Sequence, residues 1–349
     1  MTGSWIDIII FAPLAPISGV ILFWFLQLVF IESEKYFLSK IKDRHIALCR
    51  FTNFLGVFFQ TICHALGYTV TGSGISEFYL SVHYGKVAPK RKREGFFEWF
   101  SNGFLFIGPF FIPSLLLLLT LFFLIPSGFH FTIQHEYTFS ESLINFGANL
   151  YMFSRSFIGF LVTIDLFHPA HIGFCILFLL IGLGIRPSYI KQEKKREKID
   201  MLYDLRNIKN YLLNKPLYGL IFFITSYIFF YISFLLHSNW YLSFFSILGW
   251  LSIIAIISIL VAHLLIFMIR ITDRIPSIWR YMPYIIMIVS YIGMRVFFLF
   301  IPLEHSKSLS LLGMFILTII STWFILKRET NKFKTIIDME SLRDLDGSR

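Results

Sequence analysis

The chain has 349 residues and a mean hydropathy of +0.70, with 56% hydrophobic and only 15% charged residues. That balance excludes a soluble globular domain. In so apolar a chain the formal charge of +10 points to basic loops facing anionic lipid, and no nucleic-acid partner is expected. Cys49, Cys63 and Cys175 have no paired spacing, so they read as small hydrophobes rather than as disulfide partners or a metal knuckle.

Eight segments are apolar enough to cross about 30 Å of hydrocarbon: 8–31, 51–70, 102–125, 156–185, 217–237, 241–268, 283–302 and 309–326. The first lacks a basic leader and a cleavage site, so it is expected to be retained as a span. Between the first two spans, Tyr36, Phe37, Ile41 and Ile46 have helical spacing and predict a short interfacial helix. The second span contains His64-Ala65-Leu66-Gly67-Tyr68. Residues 72–87 then alternate in a way that predicts a short β-hairpin, with Phe78, Leu80 and Val82 on one face. Next come Lys90-Arg91-Lys92-Arg93 and a third span that opens on Phe104-Leu105-Phe106-Ile107-Gly108-Pro109.

The fourth span is divided by Pro169 and interrupted by Asp165, His168 and His171. It closes on Gly182-Leu183-Gly184-Ile185-Arg186-Pro187-Ser188, and a second basic run occupies 191–198. Four further spans follow, the seventh carrying Arg295, and a polar tail starts at Lys327. With both termini cytoplasmic, 23 of the 31 Lys and Arg fall in inside segments and 7 in outside loops. This bias selects that orientation. The expected fold is an all-α polytopic membrane protein of about eight transmembrane helices, with a membrane-associated β-hairpin after the second.

His64 to Tyr68 has the frame of H-E-x-x-H, in which two His on one helical face bind zinc and the Glu is the general base. The order of this motif, the hairpin, the Gly-Pro opening and the small-residue ending resembles the membrane-embedded site-2 protease family over roughly 51–191. The resemblance puts a first zinc ligand at His64, but the base position holds Ala65 and the second-ligand position Tyr68. No Asp follows Ser188 closely to serve as the third ligand. It therefore implies a pseudoprotease without zinc or another cofactor, which binds or regulates a membrane partner rather than cutting it.

Four segments follow from this reading: an N-terminal span and loop (1–50), a site-2-protease-like core (51–191), a four-span bundle (192–326) and a cytoplasmic tail (327–349). A transmembrane protein segment is the expected partner, together with membrane lipid whose anionic headgroups would meet Lys90, Arg91, Lys92 and Arg93. The rival is a transporter or a lipid- or acyl-modifying enzyme built around Asp165, His168, His171 and Arg295. A structural subunit of a membrane complex is a third reading. Depth along the spans pairs Asp165 with Arg295, since an unpaired charge in hydrocarbon is costly.

Overall fold

The computed structural model describes residues 5–82, 84–125, 129–131, 138–185, 203–275, 277–301 and 303–346. Six of its helices are long and apolar enough to cross a membrane, and a bent pair makes a seventh. The chain is thus a multi-pass membrane protein, and among the described residues it is all-α apart from one small sheet. Its contacts gather into two units, 1–158 with 172–263 and 159–171 with 264–349.

In the first unit a π-helical turn (Asp7–Phe11) leads into α1 (Leu14–Ile41). Pro13 has no N–H to offer the carbonyl of Ile9, so that end of the helix needs outside donors. Tyrosines provide them. Tyr231 donates to the Ile9 carbonyl, Tyr227 to Ile10 at 2.8 Å and Tyr241 to Pro13 at 2.7 Å. These rings stand on α8 (Pro216–Leu235) and at the start of α9 (Trp240–Thr272). Farther along, Gly19 and Gly249 both abut Phe146, and Ser33 lies 3.1 Å from the His263 imidazole. Helices α1 and α9 therefore run in the same direction. The charge count put the N-terminus and the α8–α9 turn on opposite faces, whereas the tyrosine bonds hold them at one end.

No separate interfacial helix forms between the first two spans. Tyr36, Phe37 and Ile41 extend α1, and Ile46 begins α2 (Ile46–Val70) after a short turn. Lys35 is buried there and bridges Glu32 at 3.0 Å. The expected hairpin is present: β1 (Ile75–Leu80) pairs antiparallel with β2 (Gly85–Pro89), with Phe78 opposite Val87 and an irregularity between Ile75 and Glu77.

The third span is bent. Helices α3 (Phe96–Phe106) and α4 (Gly108–Leu124) meet at 64°, with the Gly-Pro at the bend. Pro109 starts α4 without losing a helical hydrogen bond, because a first-turn N–H has no helical acceptor. Gly108 comes so close to Cys63 that a side chain there would collide with it. The fourth span is not a single helix. It divides into α5 (Phe139–Val162) and α6 (Pro169–Gly184), and the turn between them holds Asp165 and His168. Pro169 disfavours helical backbone at His168, which explains the break.

Helix α7 (Tyr203–Asn214) lays Tyr211 flat on Trp99 of α3, with ring centroids 5.2 Å apart. In the second unit α10 (Met282–Phe300) is followed by α11 (Ser306–Asp346), so the polar tail continues that helix to Asp346. Residues 186–188 of the small-residue ending and the basic run 191–198 lie outside the described residues.

Candidate functional site

Spacing of four on a helix puts His64 and Tyr68 on one face, and their ring centroids are 4.5 Å apart. His64 borders a groove of about 360 Å³ whose walls are Gln60, Thr61 and His64 of α2, Tyr84 to Val87 at β2, and Leu105 of α3. Asn102 is the polar side chain beside the imidazole, while the buried Nε2 has no hydrogen-bond partner.

Gly85 sets the width of this groove. A Cβ on it would run into Thr61 Oγ1 and approach Val57, so only glycine lets the strand lie directly on α2. Gly67 does the same where α2 meets Ser101 and Phe104 of α3. Among the described residues no third strand joins the sheet, which leaves the outer edges of β1 and β2 without strand partners. Edge carbonyls and N–H groups of this kind can pair with an added extended chain.

Zinc does not fit here. Three protein ligands and an activating base are required, and Ala65 and Tyr68 provide neither a carboxylate nor a second imidazole. Among the described residues no group of three His, Cys, Asp or Glu side chains could hold a metal.

The second cluster lies within the second unit. Arg295 Nη2 donates to Asp165 Oδ2 at 2.9 Å, Lys307 Nζ stands 3.7 Å from the same oxygen, and Tyr291 donates to Oδ1 at 3.4 Å. The Phe167 N–H also donates to Oδ1 at 3.1 Å, so Asp165 tethers its own turn. His171 Nδ1 accepts the Asp165 N–H at 3.0 Å, which fixes a neutral imidazole with its free proton on Nε2.

The Asp165–Arg295 pairing expected from sequence is therefore present, and His171 joins it through the backbone. His168 touches the cluster only through its ring, 4.7 Å from that of His171. Among the described residues Asp165, His168 and His171 do not come together as a group that could hold a metal. Sequence reasoning missed Tyr291, although it lies four residues before Arg295 and so on the same helical face. It also missed Gln60, Thr61 and Gly85, and the only available signal was an isolated glycine in a strand pattern. Comparison with protein-family models, curated proteins and solved structures finds no match for this chain.

Proposed function

We propose that this chain is a non-catalytic, site-2-protease-like membrane protein that receives an unwound stretch of a transmembrane segment along the free edge of β2. The carrying observation is the groove that His64 and Thr61 line together with Tyr84 to Val87, next to a strand with an unpaired edge. Within lipid, a helix that opens must find new partners for its N–H and C=O groups, each costing several kcal/mol if left bare. A strand edge offers those partners in register. The loss of base and second ligand at Ala65 and Tyr68 supports binding without cleavage.

The cluster at Asp165 does not favour the transporter reading. Both its oxygens already have partners, which suits a fixed staple better than a moving charge. As for orientation, the basic run Lys90 to Arg93 supports a hairpin end that faces the cytoplasm.

The test uses two synthetic peptides, a 25-residue polyleucine helix and the same helix with a central Asn-Pro-Gly break. Each is reconstituted in proteoliposomes with the full chain labelled at Lys86→Cys. Energy transfer should saturate with the broken peptide alone, and Thr61→Phe, which fills the groove, should abolish it. Equal transfer with both peptides, or no effect of the filling variant, would overturn the proposal.

A further inference from the structure

Four consecutive cations follow β2 and are tied by backbone hydrogen bonds to the turn just past the end of α2. Lys90 N–H donates to the Gly74 carbonyl at 3.1 Å and Arg91 N–H to the Ser73 carbonyl at 3.0 Å. These bonds tie the basic run to residues only three and four positions beyond Val70, the last residue of a membrane-length helix. Gly72, Gly74 and Gly95 all have positive φ, so the turns on either side of the run are set by backbone that favours glycine. Lys90, Arg91, Lys92 and Arg93 are all exposed. Among the described residues no carboxylate bridges any of them; Lys86 is the neighbouring cation that is neutralised, by Glu77 at 2.8 Å.

Helix α3 begins straight after this loop and carries an aromatic collar. Phe96 stacks near Phe100, the guanidinium of Arg93 sits 5.1 Å over the Phe97 ring, and Phe97 is half exposed. The 64° bend to α4 shows that α3 does not continue the direction of the span. A short apolar helix turned away from its span, with cations fixed at its start, combines the two features of an interfacial lipid contact. A plain topology anchor needs the charges but not the fixed loop.

We propose that Lys90 to Arg93, together with the exposed edge of Phe97, form a binding site for the headgroups of anionic phospholipids in the leaflet facing the hairpin. Each cation close to an anionic surface adds attraction that depends on salt. The aromatic ring holds the acyl–headgroup boundary at a fixed height above the charges. The site is separate from the groove at His64, so either can fail without the other.

The test uses the full chain purified in a neutral detergent. The probes are phosphatidylglycerol, phosphatidylcholine of equal chain length, and inorganic phosphate. Native mass spectrometry should show phosphatidylglycerol retained at least about fivefold more than phosphatidylcholine. That preference should vanish in the variant carrying Lys90→Gln, Arg91→Gln, Lys92→Gln and Arg93→Gln. If this variant does not fold, the two adjacent double variants should each lose part of the preference. In the wild type, 1 M salt should remove it, because screening then acts within about 3 Å. Undiminished preference in the variants or at 1 M salt would overturn the site. So would loss of the bound phosphatidylglycerol to inorganic phosphate, which would assign the cations to a soluble anion.

Discussion

Asp165 shows how a charge becomes tolerable in so apolar a chain: Arg295, Lys307, Tyr291 and a backbone N–H all converge on it. Removing one partner strands the other, which costs about 3 kcal/mol at the lower end for a buried pair, since both side chains keep slight exposure. Asp165→Asn and Arg295→Met should each lower thermal stability, and the double variant should lose less than their sum. Additive losses would show that the pair carries no coupling.

At the other site, metal analysis of the purified chain should give zinc far below one per molecule; stoichiometric zinc abolished by His64→Ala would contradict the ligand argument. Residue chemistry was legible where it depended on a single side chain, as with Ala65 and Tyr68. Arg295 was legible as a partner of Asp165 because a charge in an apolar run is anomalous, while Tyr291 and Lys307 stayed hidden because neither is unusual in its own stretch of sequence.

At the scale of elements, glycines and prolines set the geometry. Gly85 lets β2 lie on α2, so Gly85→Val should lift the hairpin off at a cost of about 1–3 kcal/mol, the usual range for overpacking. Faster tryptic cleavage at Lys86 and Lys90 would report this, and Thr61→Ala should restore part of the protection. Unchanged cleavage in Gly85→Val would mean that the strand does not sit there. The hairpin could be read from sequence because strand alternation is local. The break of the fourth span was half legible: Pro169 marked its place, but hydropathy alone joined α5 to α6. The interfacial helix expected after the first span failed for a related reason. Helical spacing across Tyr36 to Ile46 does not reveal where one helix stops and the next starts.

Across the whole molecule, hydropathy made the membrane class plain, while the direction of each span depended on contacts that no local pattern encodes. The tyrosine bonds from α8 and α9 to Ile9, Ile10 and Pro13 bring the first turn beside the α8–α9 turn. Cysteines at Trp5→Cys and Trp240→Cys should therefore react with an impermeant reagent from the same face; reaction from opposite faces would contradict this arrangement. The central claim is that the edge of β2 beside His64 receives an unwound segment. It is tested most directly by hydrogen exchange on the reconstituted chain, with and without the break-bearing peptide. The account predicts slowed exchange at the β2 amides that face away from β1, between Gly85 and Ala88, with β1 unchanged. Exchange there that is indifferent to the peptide, or equally slowed by the unbroken helix, would contradict it.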